Sequence, residues 1–552
     1  MINIIKKNIL ILIIFLILGS YLGIKALDKT GWDGWGFGSA PVLMTIRYWN
    51  RDGWIKHYFL YIPQGYSKTA AQYLDEPELR HSTPAGRFYY THYPPGFIFP
   101  FALLGRLGFD QRFWFRWLAI LFSFGGLILF YKFINLIVNK TAAFWGTVFY
   151  AFSTTFLDFA DSVANQPIED LLKYGIIFTS MLAFKRGKNY NYFLWLLYFL
   201  LSISTYDSTF FIFTWLIGLD ILIRKTWAFK KWLFFASAPT LAFALQVIQN
   251  AWYLGWQNVI SDFSGAYVRR NAIGSYIDYT HAFYAPLKWF LAPTAPLNSW
   301  LLSPNVKWLI AISTVMLLAT GIFVLFKKNS KSLKDIAKIS ILLYLASIVQ
   351  QIFIPADMTF SYEGRFIALL LGIFVGVLMI LAGKYSINIY NSKQLSPYLM
   401  PLAITILMLA FLWSLEIKNT IEYLKQWPNH AVNAATIDFS DEIKLQIPGD
   451  KIGFYLSDST TKAAGPLPNY TMVDMMSEYY FDMPILSFGN ADALINDLLY
   501  LKSRSQSFFP VIMAENEKTA LDLQEKIDKN NLLKAKIKDS RVLIIDLPLL
   551  WP

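Results

Sequence analysis

Long apolar runs separated by short polar segments dominate the first 426 residues of the chain. Because a membrane-crossing helix needs about 20 mostly apolar residues, this pattern predicts about eleven spans. The predicted spans are 4–24, 114–134, 141–157, 168–184, 192–206, 208–223, 232–250, 306–326, 338–355, 364–383 and 396–416. A further apolar stretch, 284–303, contains Pro286, Pro293 and Pro296. Prolines interrupt a helix, so this stretch is predicted to be interfacial or re-entrant.

The first apolar run has an alternative interpretation as a cleaved signal peptide, since Lys6 and Lys7 lie near its start. The run continues to Ile24 without an A-x-A-like cleavage site, which favours a retained span.

The pattern changes after residue 426, where charged residues become frequent and strand and helix periods alternate. Strands are predicted at Lys451–Leu456, Pro510–Ala514 and Val542–Leu547, and amphipathic helices at Ala491–Ser503 and Glu517–Lys529. The chain is therefore predicted to have an all-α polytopic membrane domain, 1–426, and a small α/β domain, 427–552. Nucleotide binding by the second domain is not expected, because no glycine-rich loop lies at its strand–helix junctions.

Composition supports a membrane protein. Hydrophobic residues make up 55% of the chain and charged residues only 16%, with a mean hydropathy of +0.39. A soluble domain has about 25% charged residues, so an ordinary soluble enzyme and a disordered chain are both excluded. The absence of cysteine excludes disulfides, thiolate metal sites and cysteine nucleophiles.

The net charge of +12 is a topology signal rather than the footprint of a nucleic-acid partner. The Lys and Arg residues concentrate in short loops on one side of the predicted spans, such as 185–188, 224–231 and 327–338. Such loops lie in the cytoplasm. The N-terminus is thus predicted to be cytoplasmic in a plasma membrane, while the long loop 25–112 and the C-terminal domain face outward.

Almost all carboxylates, and all five histidines, fall on the predicted outer side. The predicted spans are interpreted as nearly free of carboxylates. Because a pump or proton-coupled transporter more often carries carboxylates in mid-span, this argues against both. His57, His81 and His92 are too widely spaced for a compact ligand motif. No cofactor is therefore expected, and a divalent metal is an alternative that the spacing does not indicate.

The long outer loop begins with glycines and tryptophans around Asp33. Tryptophan favours the membrane–water boundary, where a low dielectric can raise a carboxyl pKa toward the range of a useful base. The alternative is a turn aspartate that caps the following helix.

The same loop ends in His92-Tyr93-Pro94-Pro95, followed by an apolar segment that reaches Gly105. An acidic residue after the first span, followed by an H-x-P-P-like entry to an amphipathic segment, resembles the GT-C superfamily of membrane glycosyltransferases. The relevant branch includes protein O-mannosyltransferases and lipid A aminoarabinose transferases. The resemblance extends in layout over the membrane part, whereas the residue matches are short.

The resemblance implies roles for individual residues. Asp33 corresponds to the catalytic base or to a group that orients the acceptor, and Asp161 or Asp158 to a second acid, with the choice left open. The family pattern places an acid next to a proline, whereas this chain has Asn165-Gln166-Pro167. Contacts to the donor phosphate are predicted for Arg365, His92 and Tyr93, and contacts to substrate for Glu363, Tyr362, Arg269 and Arg270. Arg365 could instead snorkel to the interface or pair with Glu363.

These inferences predict an enzyme that transfers a sugar, with inversion, from a polyprenyl-phosphate donor to an acceptor at the outer face of the membrane. The acceptor could be a protein, a lipid or a glycan. A lipid or polysaccharide transporter, a noncatalytic scaffold, and an outer-face glycan polymerase or ligase are the alternatives.

Overall fold

The computed structural model describes residues 2–28, 36–62, 89–270, 281–291, 331–355, 361–391, 396–426, 451–456, 485–488, 490–503, 509–514, 517–529, 535–539 and 542–545. Its helices before the C-terminal sheet are α1 (Ile2–Leu27), α2 (Gly36–Asp52), α3 (Phe99–Arg106), α4 (Arg112–Ile137), α5 (Lys140–Ala151), α6 (Thr154–Leu157), α7 (Asn165–Arg186), α8 (Asn191–Ser204), α9 (Thr209–Gly218), α10 (Phe229–Leu254), α11 (Trp256–Arg270), α12 (His281–Leu291), α13 (Lys331–Phe353), α14 (Ala368–Asn391) and α15 (Ser396–Gln426). Short 3-10 turns occupy Ile55–His57, Pro95–Ile98 and Ser361–Phe366, and a π-helical turn, Leu219–Arg224, extends α9.

Five helices in the described part of the chain are long and apolar enough to cross a bilayer. They contain the segments Arg112–Ile137, Phe229–Leu254, Lys334–Phe353, Ala368–Ile389 and Leu402–Lys425. Two shorter apolar helical segments are Ile13–Leu27 and Asn191–Ser204. The protein is thus a mostly helical membrane protein. The predicted span 306–326 lies outside the described residues.

Two predicted spans are divided in the structure. The segment 141–157 is split into α5 and the single turn α6, because Ser153 caps a new helix by accepting a hydrogen bond from the Phe156 amide. The segment 208–223 becomes α9 followed by the π-helical turn. Apolar composition predicts burial in both cases but does not predict where the backbone bends.

Helices α5 and α14 pack at unusually close range through glycine. A Cβ atom added at Gly376 would lie 2.5 Å from the Ala142 carbonyl oxygen and 2.8 Å from the Ala142 Cα. Small residues allow helix backbones to approach closely in a membrane, where van der Waals packing drives association. This contact holds α14, and the 3-10 turn before it, against the body of the protein.

The C-terminal part has five strands and two helices. The strands are β1 (Lys451–Leu456), β2 (Ile485–Phe488), β3 (Phe509–Ala514), β4 (Ala535–Asp539) and β5 (Val542–Ile545), and the helices are α16 (Ala491–Ser503) and α17 (Glu517–Lys529). They form one sheet of order β2-β1-β3-β5-β4, in which β1 pairs in parallel with β2 and β3. Both helices begin and end where predicted, whereas β2 and β4 were not predicted.

The glycine contact between α5 and α14 predicts opposite effects for two substitutions on the same helix. Gly376→Ala should lower the unfolding temperature, because the new methyl group meets backbone atoms and overpacking costs about 1–3 kcal/mol. Gly383→Ala is the matched control, since nothing lies within 4 Å of a Cβ atom there. It should leave stability unchanged or raise it by about 0.5–1 kcal/mol. Thermal unfolding of the purified variants measures both, and equal effects would contradict the close contact.

Candidate active site

A buried group of charged side chains lies where α7 begins. Glu169, Asp170 and Lys173 occupy its first turns and are 0%, 8% and 1% exposed. Arg365, from the 3-10 turn before α14, reaches both acids: its Nη2 lies 2.7 Å from Glu169 Oε2 and its Nη1 lies 3.1 Å from Asp170 Oδ1. Lys173 Nζ lies 2.8 Å from Asp170 Oδ1. Buried charges persist only when paired, and these four residues pair each other.

This arrangement keeps the Arg365 guanidinium protonated. Burial disfavours the guanidinium cation, but Glu169 and then Asp170 outweigh that effect and raise the pKa of Arg365. The guanidinium also donates to the Gln166 carbonyl oxygen at 3.1 Å. Tyr150 of α5 donates to Asp170 Oδ2 at 2.8 Å. The cation therefore has a defined orientation at the junction of α5, α7 and α14.

A second buried ion group lies eight residues earlier along the chain, around Asp161. Lys25, from the end of α1, places its Nζ 2.7 Å from Asp161 Oδ1. Arg116 of α4 donates to Asp161 Oδ2 through both Nε, at 3.0 Å, and Nη2. Burial raises the pKa of the Asp161 carboxyl, but Lys25 and Arg116 outweigh this and lower it. Asp161 is thus held as a carboxylate and ties α1 and α4 to the segment before α7.

A third group is centred on the Tyr93 hydroxyl, which lies just before the proline pair. It donates to Asp207 Oδ2 at 2.7 Å, accepts from Asn165 Nδ2 at 2.6 Å and lies 2.5 Å from Thr205 Oγ1. Burial, and next the Asp207 carboxylate, raises the pKa of Tyr93. Tyr93 therefore remains a neutral hydrogen-bond donor.

The Tyr93 group and the Arg365 group are continuous. Ser208, next to Asp207, donates a short hydrogen bond to Glu169 Oε1. Asn165 and Gln166, which serve the two groups, are neighbours in the chain. The starts of α7, α9 and α14 and the end of α8 thus meet at one polar centre inside an otherwise apolar bundle.

The remaining predicted site residues are distributed around this centre. Asp158 is only half-buried. His92 Nε2 lies 2.7 Å from Asp262 Oδ1 of α11. Glu363 is buried and accepts a short hydrogen bond from Gln351 of α13, and the acids that Arg365 contacts in the group above are Glu169 and Asp170.

Other predicted residues are only partly described. Asp33 lies outside the described residues. Arg269, Arg270 and Tyr362 belong to described backbone elements, α11 and the turn Ser361–Phe366, but their side chains lie outside the description.

Sequence reasoning missed Glu169, Asp170 and Lys173. The expectation that apolar segments are nearly free of carboxylates is wrong for the predicted span 168–184, because α7 carries two acids in its second turn. A signal was available: Gln166, Glu169, Asp170 and Lys173 follow the i, i+3, i+4, i+7 spacing of one helix face. Polar residues at that spacing in an apolar helix point into the protein rather than into lipid.

In chemical terms the centre offers a fixed guanidinium, a neutral phenol and several carboxylates in a water-poor setting. A fixed cation can stabilise an anionic group that gains charge during a reaction. Among the residues the structure describes, no group of three or more His, Asp or Glu is arranged to hold a metal ion.

No protein-family model and no curated protein sequence matches the chain. Its structure is similar to that of ArnT from Cupriavidus metallidurans bound to undecaprenyl phosphate, with a TM-score of 0.52 and 11% identity over 98% of this chain and 99% of that one. Apo ArnT matches at a TM-score of 0.50 and 11% identity over 98% of each chain. The oligosaccharyltransferase AglB from Archaeoglobus fulgidus matches at a TM-score of 0.48 and 11% identity, over 94% of this chain and 70% of that one. The protein therefore has the fold of ArnT, in agreement with the fold that the resemblance in the sequence predicted.

The ion group around Asp161 predicts a large loss of stability on Asp161→Asn. The variant leaves Lys25 and Arg116 buried without their carboxylate, and breaking a buried pair in this way costs about 3–5 kcal/mol. Thermal unfolding should show the loss. The double variant Lys25→Met/Asp161→Asn should recover part of it, because one orphaned charge is removed; strictly additive losses would contradict the pairing.

The same group makes stability depend on acidity. The folded-state pKa of Asp161 is lowered, so its contribution is present above the unfolded pKa of about 3.9 and is lost as pH falls further. The unfolding temperature of the unmodified protein should therefore drop more steeply below about pH 4 than that of Asp161→Asn. Parallel acid profiles for the two proteins would show that Asp161 is not the group responsible.

Proposed function

We propose that the protein is a membrane glycosyltransferase that moves a sugar from a polyprenyl-phosphate donor to an acceptor hydroxyl at the outer face of a plasma membrane. The observation that carries this proposal is the buried, charge-fixed Arg365 at the junction of α5, α7 and α14. The ArnT fold supports it, and one of the ArnT structures holds undecaprenyl phosphate. A lipid-linked donor also suits the outer face, where nucleotide sugars are not supplied.

The reaction is a single displacement. The acceptor oxygen forms a bond to the anomeric carbon while the bond from that carbon to the phosphate oxygen breaks. The polyprenyl phosphate leaves with the bonding electrons, the hydroxyl proton passes to a carboxylate, and the anomeric configuration inverts. A phosphate is already a good leaving group, so the protein needs to supply orientation, charge stabilisation and a base.

Orientation and charge stabilisation are assigned to particular residues. Arg365 stabilises the charge that develops on the leaving phosphate, and Glu169 and Asp170 hold its guanidinium in position. Tyr93 donates its single hydroxyl proton to Asp207 in this structure. We propose that it hydrogen-bonds the phosphate by exchanging the Asp207 carboxylate for a phosphate oxygen. His92 directly precedes Tyr93 in the chain and contacts Asp262. It is proposed as a further contact to the donor phosphate.

Asp33 is proposed as the base. Of the two acids in the second loop, Asp161 is poorly suited to accept a proton because both its oxygens accept hydrogen bonds from cations. We assign it to positioning. Asp158, half-buried on the same segment, is the better candidate for a second acid. Glu363, Tyr362, Arg269 and Arg270 are proposed to contact the sugar or the acceptor.

A transporter is the second candidate, because the charges of α7 lie within a predicted span. Glu169 and Asp170 sit in the second turn of the helix, near its start rather than at its centre. This placement fits a site at one membrane face better than a central translocation pathway. Movement of a lipid-linked glycan across vesicles without chemical change would favour the transporter.

The proposed base can be tested with purified protein in lipid and a panel of polyprenyl-phosphate sugars, with donor consumption followed by mass spectrometry. The unmodified protein should consume at least one donor when cell-envelope extract supplies the acceptor. Asp33→Asn should slow consumption by roughly 10²–10⁴-fold, the usual contribution of a general base.

Asp110→Asn is the matched control, because Asp110 is a solvent-exposed carboxylate near the end of the same loop. It should consume donor at the normal rate. Unaltered transfer by folded Asp33→Asn would remove Asp33 from the mechanism, and consumption of no donor by the unmodified protein would overturn the enzyme assignment.

A further inference from the structure

Four buried polar side chains lie on α7 and α13, two helices that hydrogen-bond the turn that carries Arg365. Gln166 lies in the first turn of α7, and Ser347, Gln350 and Gln351 form one face of α13 near its end. They are 2%, 1%, 0% and 0% exposed, respectively. Glutamine is mostly an exposed residue, so three fully buried glutamines at one place need a physical reason.

Existing hydrogen bonds hold the two α13 glutamines in place. Gln350 Oε1 accepts from the amides of Phe210 and Phe211, each at 3.1 Å, at the start of α9. Gln351 Nε2 donates to Glu363 Oε2. These contacts use one end of each amide and fix the direction of the other end.

The other ends are unsatisfied. The atoms Gln166 Oε1, Ser347 Oγ, Gln350 Nε2 and Gln351 Oε1 are all inaccessible to solvent and have no hydrogen-bond partner among the described residues. A buried polar group without a partner is costly, and native proteins keep few of them. Four such atoms on the two helices that bond the Arg365 turn therefore indicate a place prepared for a ligand.

Their positions converge on the Arg365 group. The Arg365 guanidinium bonds the Gln166 carbonyl oxygen, and Glu363, the partner of Gln351, is two residues from Arg365. On the other side, Gln350 caps the helix start that follows Ser208, which bonds Glu169. Gln166 and Gln351 thus contact the turn that carries Arg365, and Gln350 bonds the helix start next to Ser208.

We propose that Gln166, Ser347, Gln350 and Gln351 form the subsite that binds the hydroxyl groups of the sugar to be transferred. The free atoms comprise two amide carbonyl oxygens, one amide nitrogen and one hydroxyl. A sugar hydroxyl both donates and accepts, so it satisfies either kind of atom, and the set contains no charge of its own. The ligand is accordingly a neutral, polyhydroxylated sugar attached to the lipid phosphate. This assignment rests on the proposed function and specifies its substrate.

Binding tests this subsite without requiring turnover. Native mass spectrometry of the full-length protein would compare polyprenyl-phosphate hexoses with polyprenyl phosphate alone. The unmodified protein should bind one sugar-bearing lipid more tightly than the sugar-free lipid. Gln166→Met and Ser347→Ala each remove an unsatisfied atom while breaking none of the side-chain hydrogen bonds described above. Each should reduce that preference by roughly 5- to 150-fold, as expected for one lost hydrogen bond to a buried group.

Stability separates this role from a structural one. Removing an unsatisfied buried polar atom should leave the unfolding temperature unchanged or raise it, even as sugar preference falls. Thr147→Val is the matched control, because Thr147 on α5 is also buried with an unpartnered hydroxyl but lies outside the Arg365 group. It should keep the full preference for the sugar-bearing lipid.

Each result of the binding experiment leads to a different conclusion. If both variants keep the preference of the unmodified protein, water fills the space and the subsite is refuted. Equal weakening of both lipids would also refute it, since that result indicates a distorted lipid site. If sugar preference falls as expected but no donor is ever consumed, the subsite stands and the transferase assignment fails.

Discussion

A charge buried in an apolar bundle must be paired, and this constraint organises the part of the protein that surrounds the site. The segment 161–173 carries three buried carboxylates, and four cations reach them: Lys25, Arg116, Lys173 and Arg365. Because these cations come from α1, α4, α7 and the turn before α14, the ion pairs connect elements far apart in the chain. Loss of Asp161 would remove the carboxylate that Lys25 and Arg116 share, whereas Glu169 and Asp170 both contact Arg365, so that loss of one leaves it the other.

The same pairing prepares the site for chemistry. Glu169 and Asp170 hold the Arg365 guanidinium in one orientation, so in the proposed mechanism little reorganisation is needed when a phosphate gains charge beside it. Asp207 and Asn165 do the equivalent for the Tyr93 hydroxyl. What the network leaves unpaired is also informative: Gln166, Gln350 and Gln351 have buried amide atoms without a partner among the described residues, and these are the atoms proposed to bind the sugar of a lipid-linked donor.

The sequence predicts the helical membrane fold, its resemblance to the GT-C superfamily, and α16 and α17 of the C-terminal sheet, because periodicity and composition are local properties. Of the site residues that it proposes, Arg365 and Tyr93 lie in the buried polar centre, and their roles stay predictions. It does not predict Glu169, Asp170 or Lys173, since their meaning depends on Arg365, nearly 200 residues later in the chain. The choice between Asp158 and Asp161 illustrates the same limit: the two acids are three residues apart, and only packing shows that Asp161 receives two cations. Hydrophobic pattern gives the burial of a segment, whereas the pairing partners are a property of tertiary structure.

The central claim is that a lipid-linked sugar binds at the junction of α7, α13 and the turn before α14. The most direct measurement is an electron cryo-microscopy structure of the full chain in lipid nanodiscs with a polyprenyl-phosphate hexose that it retains. Under this proposal, density for the phosphate is expected beside Arg365 and Tyr93, and density for the sugar against Gln166 and Gln350. Phosphate density at the opposite end of the bundle, near Lys185 and Lys231, would contradict it.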